Sequence, residues 1–321
     1  MHCAVMCCDV MCCFSGKEWR KTIKIDPSPI GCGCVAQVFK GETMQDTTYT
    51  GVDTATSAGS TASTAKMQRV IPKGTAVAVK MIHPHVERLV RQDMELLGNI
   101  GNLMDQFASL EIISLGDMIR EFGSNLYKQL DLRVEGHHLK KFHRNFFEDE
   151  SWAEFPRPVD QLTHRNVLVE TLMTGKPISE YMRQTGDSTL PEDVALRKIQ
   201  SKLSDLCTRT LVKMIFFDNY IHGDLHPGNI LVRLNDKGDP VLGFLDCGIV
   251  YSTSSEEEHD NLMGICRYFI AHDGYTAGKF IIKSAKNYSA HLPEGDYRKT
   301  RQVLEEDVRK IAILQLILPD I

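Results

Sequence analysis

The sequence predicts an α+β fold in two lobes: a small N-terminal lobe with an antiparallel sheet and extra helices, then a mostly helical C-terminal lobe. Three observations carry this. Strand-like apolar runs cluster early, around Val35–Gly41 and Thr75–Ile82. One short run, Val167–Leu172, stands midway. Most of the remaining chain has apolar residues at three- and four-residue spacing, the period of a helix with one buried face. The first lobe is expected over about residues 21–172 and the second over about 173–321, with residues 1–20 as a disordered tail.

From Ile30 to Gly41 small residues lead into an alternating Val-x-x-Val-Phe run, which reads as a turn entering a strand. The segment 43–74 is a polar insert. Its part Thr47–Ala65 has almost no large apolar residue and is expected to be a flexible loop. Thr75–Ile82 resumes as a strand, pairing with the first as a hairpin with the insert as its tip. His83-Pro84 ends it. Val86 to about Phe147 is expected to be helical, as is Leu190–Tyr220 with its acidic first turn. Ile230–Leu234 and Val241–Leu245 read as short strands around the turn Asn235-Asp236-Lys237-Gly238. From Glu256 onward the pattern is mostly helical, and no internal repeat is present.

The chain has 321 residues, enough to bury a sizeable core, and 42% are hydrophobic. A net charge of -5 argues against a nucleic-acid binder, which usually carries a basic excess. No apolar stretch is long enough to span a membrane. Ile311–Leu318 comes nearest and reads as a buried helix end. Ten cysteines are present, five of them at positions 3, 7, 8, 12 and 13, without the spacing of a disulfide framework or a usual zinc site. The start also lacks the marks of a signal or transit peptide.

The chemistry concentrates in three segments. In YIHGDLHPGNILV, Asp224 and Asn229 stand five apart across a Pro-Gly turn ahead of an apolar strand. The carboxylate can accept or orient a hydroxyl proton, and the amide oxygen suits a hard cation such as magnesium. In FLDCG, Asp246 at a strand end is a second oxygen ligand of that kind. In VAVKM, Lys80 sits among apolar residues, where an ammonium is costly unless it meets an anion. Such a lysine needs a carboxylate. Glu135 is the candidate, with Glu87, Glu95, Glu111 and Glu121 open by position. His222 is read as orienting the loop backbone, Cys32 and Cys34 as inert, and Cys247, beside Asp246, as a candidate reactive thiol.

These stretches, together with CVAQVFKG, LDLRVEG and VLVETLMTG, resemble the UbiB or aarF-domain atypical kinases, called ADCK proteins in animals, from Gly31 to about Val250. The resemblance implies a protein-kinase-like fold. It implies an ATP-binding set of Gly31, Gly33, Val35, Ala36 and Gln37 in the nucleotide loop, Lys80 on the phosphates paired with Glu135, and Glu170 and Met173 in the hinge near adenine. It implies Asp224 at the catalytic-base position and Asn229 and Asp246 on Mg²⁺. It further implies ATP and Mg²⁺ as cofactors, a mitochondrial setting, support of coenzyme Q (ubiquinone) metabolism, and lipid or quinone-pathway proteins and a membrane surface as partners. Two departures stand out. No Lys-x-Gly-Gln motif precedes the loop, and the family's Glu-x-Asp reads Gln129-Leu130-Asp131, which leaves regulation open and admits a chain truncated at its start. Two rivals are kept. One is a small-molecule kinase of the aminoglycoside or choline kinase type, which shares the HGD-x-x-x-x-N loop. The other is a nucleotide-binding scaffold without turnover.

Overall fold

A computed structural model describes residues 19–52, 66–104, 115–149, 151–182 and 191–271, with Asp273, Thr276 and Phe280. The Cys-rich start, the tip of the polar insert, Glu111 and Ile311–Leu318 lie outside the described residues.

The first sheet holds β1 (Ile23–Cys32), β2 (Ala36–Thr43), β5 (Ala76–Ile82) and β7 (Val167–Thr171) in the order β1-β2-β5-β7, all antiparallel. The expected hairpin is its centre, with Ala36 opposite Ile82 and Glu42 opposite Ala76. β1 was not expected, because Pro27 and Pro29 lack the N–H that a central strand donates. An edge position tolerates them, and the register shifts on either side of Pro29. The polar insert also differs from expectation. Its flanks are β3 (Thr47–Val52) and β4 (Lys66–Ile71), which pair from Thr47–Ile71 to Val52–Lys66. Tyr49, Ile71 and Thr47 are buried, and the Arg157 guanidinium lies 5.5 Å from the Tyr49 ring. A few anchoring side chains therefore order strands that composition alone reads as loop.

The long helical stretch divides into α1 (Val86–Met104), α2 (Leu115–Gln129) and α3 (Leu132–Asn145). Asp131 caps α3, accepting the Arg133 N–H. One face of α3, made of Leu132, Glu135, Gly136, Leu139 and Phe142, is buried. Gly136 permits the close approach, since a Cβ there would stand 3.1 Å from Thr163 Cγ2.

A second sheet has the order β6-β11-β10-β8, from β6 (Ala153–Glu154), β8 (Lys176–Pro177), β10 (Ile230–Leu234) and β11 (Pro240–Phe244). The expected β10–β11 hairpin turns at Gly238, whose φ of 75° suits glycine. Asn235 Oδ1 accepts the N–H groups of Lys237 and Asp239 across that turn. β6 runs parallel to β11, so residues ahead of β7 join this second sheet. A two-residue ladder pairs β9 (Ile221–His222) with β12 (Val250–Tyr251). α4 (Pro191–Val212) ends in a π-turn, Lys213–Phe217, and α5 (Glu256–Ile270) follows.

Strand alternation divides the core. On β5, Val77, Val79 and Met81 enter a cluster with Trp19, Ile23 and Phe39. Ile82, on the opposite face, joins the larger cluster of Phe142, Phe155, Met214, Leu242 and Phe244. Lys80 shares that second face by the same alternation. The Phe142 ring stacks on Phe155 at 4.7 Å and is fully buried. Phe142→Ala is expected to destabilise the fold by about 3–5 kcal/mol. Urea unfolding followed by circular dichroism checks this, and a loss below about 1 kcal/mol would show that α3 is not held by this contact.

Candidate active site

The site begins with Lys80. Its ammonium meets both oxygens of Glu135, at 3.1 and 2.9 Å, and Asp246 Oδ1 at 2.7 Å. Strand alternation aims the lysine at α3, and the helical period turns Glu135 back toward the sheet. The Glu135 side chain is only 4% exposed, whereas Asp246 is 47% exposed. Burial works against the Lys80 ammonium, but the Glu135 and Asp246 carboxylates overcome it and hold its pKa above the ordinary lysine range. Burial pushes the Glu135 carboxyl up, and Lys80 pulls it back.

Asp246, two residues past the end of β11, has φ of 53°, in the left-handed region. That conformation is uncommon for a non-glycine residue and turns the carboxylate out of the strand line. Gly248 gives it room, because a Cβ there would come within 3.3 Å of Asp246 Oδ1. The His138 Nδ1–H donates to the Cys247 carbonyl at 2.8 Å, tying this turn to α3. Cys247 is fully buried, which pushes its thiol well up, so the expectation of a reactive thiol is corrected: the group is held protonated and out of reach.

The loop after β9 is fixed by its histidines. His222 accepts the Asp224 N–H on Nδ1 at 3.2 Å and donates from Nε2 to the Leu245 carbonyl at 3.0 Å. Burial lowers its pKa and keeps it in this neutral form. His226 Nδ1 accepts the Gly228 N–H at 3.0 Å. Asn229 Nδ2 donates to the Asp224 carbonyl at 3.0 Å and to its Oδ2 at 3.4 Å. With Nδ2 so engaged, the Asn229 oxygen is the atom offered to a cation.

Above Lys80 the turn from β1 to β2 closes by a bond from the Gly33 N–H to the Ala36 carbonyl at 2.8 Å. His83 braces it twice, from Nε2 to the Gly33 carbonyl at 2.9 Å and from its N–H to the Val35 carbonyl at 2.9 Å.

A cavity of about 560 Å³ collects these groups, a size that suits a cofactor. Gly31, Gly33, Val35 and Ala36 line its roof, with Lys80 and Glu135 inside and Asp224, Asn229 and Asp246 below. Three expected residues do not line it. Gln37 lies between Ala36 and Val38, which do, so alternation turns it to the other face. Met173 lines a separate cavity of about 290 Å³ with Phe155 and Thr171. Glu170 is buried on β7. Of the other carboxylates considered, Glu87 pairs with Arg165 and Arg91, and Glu95 is exposed. The Glu121 side chain lies outside the description.

The cavity also has two walls that sequence reasoning missed, Lys128 and Ile249, and they are joined by His226 and by Gln129 and Asp131, which the sequence marked only as a departure from a family motif. The His-Pro dipeptide was visible as a strand terminator, with nothing in it to reveal the loop brace. Among the described residues no group of three or more histidine, cysteine or acidic side chains forms a metal cluster. The Asp224 and Asp246 carboxylates and the Asn229 amide oxygen around one cavity nevertheless suit a magnesium ion that keeps waters and shares phosphate oxygens.

Residues 46–279 match the family described as the ABC1 atypical kinase-like domain. A mitochondrial ABC1 family protein of Schizosaccharomyces pombe is 26% identical over 348 residues, covering 92% of this chain and 45% of that protein. The probable protein kinase UbiB of Haemophilus ducreyi is 27% identical over 186 residues, covering 58% of this chain and 32% of that protein. The chain thus spans less than half the length of these relatives. In structure it is similar to Rv3197 of Mycobacterium tuberculosis, solved in complex with erythromycin, with a TM-score of 0.54 at 18% identity over 78% of this chain and 52% of that one. A kinase-like two-sheet core and a family match over most of its length agree: the chain belongs to the ABC1 atypical kinase-like family.

Proposed function

We propose that this chain binds Mg-ATP in the cavity at Lys80 and transfers the terminal phosphoryl group, to water or to a small acceptor. The observation that carries the reading is a buried ammonium gripped by Glu135, with one Asp246 oxygen, in the same cavity as Asp224 and Asn229. Lys80 holds the inner phosphates once they replace part of its contact with Asp246, and Glu135 keeps it aimed. Asn229 and Asp246 hold magnesium, which neutralises charge developing on the transferred group. Asp224, half-exposed and steadied through Asn229, orients the attacking hydroxyl or water. Gly31, Gly33, Val35 and Ala36 cover the phosphates with small residues and backbone. Little covalent chemistry is asked of the protein, and positioning and electrostatics carry the rate.

The family relation supports a mitochondrial setting and a role in coenzyme Q metabolism, with a lipid or quinone-pathway component as acceptor or partner. No helix of the described residues is long and apolar enough to cross a membrane, so contact with a bilayer would be peripheral for this part of the chain. The division into lobes near Leu172 is part of the same reading, with the nucleotide between them.

Saturating Mg-ATP is expected to raise the melting temperature by several degrees, since ligand at a hundred times its Kd stabilises by about 2.7 kcal/mol. Asp246→Asn and Lys80→Ala should each lose most of that rise. An unchanged response in both would exclude this cavity as the nucleotide site. Asp224→Asn should keep Mg-ATP binding and lower turnover by on the order of 100-fold or more. Binding without any turnover in the wild type, with lipid vesicles present, would instead favour the scaffold. Glu135→Ala leaves a largely buried Lys80 with Asp246 as its remaining carboxylate, at a cost of about 3 kcal/mol. Chemical denaturation measures it, and a neutral result would deny the pair its structural role.

A further inference from the structure

His83 holds the roof of the cavity without lining it. The end of β5 fixes its place. The Ile82 N–H donates to the Asn166 carbonyl at 3.0 Å, and the His83 carbonyl accepts the Val86 N–H at 3.3 Å as α1 begins. Between His83 and α1, Pro84 has no N–H to give, and His85 takes φ of 66°, in the left-handed region. His83 is half-buried and held by backbone bonds on both sides.

Both of its donors go to carbonyls of the turn from β1 to β2. The Nε2–H meets the Gly33 carbonyl at 2.9 Å, and the backbone N–H meets the Val35 carbonyl at 2.9 Å. A carbonyl oxygen only accepts, so a ring proton stands on Nε2. A peptide unit is planar, and with no cis bond here its C=O and N–H point opposite ways. The Gly33 carbonyl turns toward His83, so the Cys34 N–H faces the other way. Cys34 and Val35 both line the cavity, and among the described residues no hydrogen bond takes either N–H.

We infer that His83 is a positioning residue for phosphate binding. It takes two carbonyls that would otherwise be free to face an anion, and it leaves successive N–H groups on the cavity side. A carbonyl dipole repels a phosphate oxygen, whereas successive N–H groups form an anion-binding concavity. The effect falls on the phosphates of a ligand and spares its base and ribose. His83 acts through the turn and touches no reacting atom. The assignment rests on the nucleotide reading above.

The test compares dissociation constants of Mg-ATP and adenosine for the full chain as wild type, His83→Ala and His83→Gln. His83→Ala frees the Gly33 carbonyl and should weaken Mg-ATP by about tenfold, the scale of one lost hydrogen bond. Adenosine, which has no phosphate, should stay within about twofold. His83→Gln restores an N–H donor and should recover most of the Mg-ATP affinity. A second arm uses wild type alone and needs no variant to fold: Mg-ATP should slow hydrogen exchange at the Cys34 and Val35 amides, and adenosine should leave it unchanged. Four results overturn the assignment and leave the nucleotide site standing: unchanged Mg-ATP affinity in folded His83→Ala, equal weakening of adenosine, no recovery in folded His83→Gln, or no amide protection in wild type that binds Mg-ATP. Failure of folded wild type to bind Mg-ATP overturns both readings.

Discussion

The Lys80 ammonium is the constraint on which the site depends. It joins a strand of the first sheet, the first turn of α3 and the residue leaving β11, three elements distant in sequence. A buried ammonium without partners would not be tolerated in a packed core, and neither would a buried Glu135. Each group therefore fixes the other, and the packing around them follows. α3 must present Glu135 and Leu139 on one face, Gly136 must let that face approach, and Asp246 must leave β11 in a left-handed conformation to complete the contact.

Imidazoles do the complementary work on the backbone. His83, His138, His222 and His226 each tie a loop at the cavity through a carbonyl or an N–H. Burial lowers the pKa of His138 and His222, so both serve as neutral rings. A neutral imidazole can donate from one nitrogen and accept at the other, and His222 uses both to join its own loop to the end of β11. Histidines in this site that invite a metal or acid–base role are thus committed to holding loops in shape.

What was legible in the sequence follows the same division. Lys80, Asp224, Asn229 and Asp246 could be picked out because polar groups stand out against apolar strands and a tight Pro-Gly turn. The central hairpin and β10–β11 were legible because alternation and turn residues are local signals. β1 was not, because its prolines look like loop and only an edge position makes them acceptable. β3 and β4 were not, because Tyr49 and Ile71 are buried in a cluster whose other members, such as Trp19 and Val159, lie far from them in sequence. Gln37 does not line the cavity although its motif neighbours do, because strand alternation sends every second residue to the opposite face. Glu135 was a candidate among several acidic residues, and position alone left the others open, since its partner is 55 positions upstream.

Glu170 shows how the same electrostatics reaches beyond the contact pairs. One ammonium faces Glu135, Asp246 and Glu170, so the three carboxyls cannot all be ionised without excess negative charge in a buried space. Glu135 has Lys80 against both oxygens. Glu170 is buried, its Oε2 has no partner among the described residues, and burial pushes its pKa up to about 8. A magnesium nucleotide carries net negative charge even with its cation, so its arrival would not expel the Glu170 proton. Phosphate binding at Lys80 and a neutral Glu170 behind it are therefore compatible demands on one charge cluster.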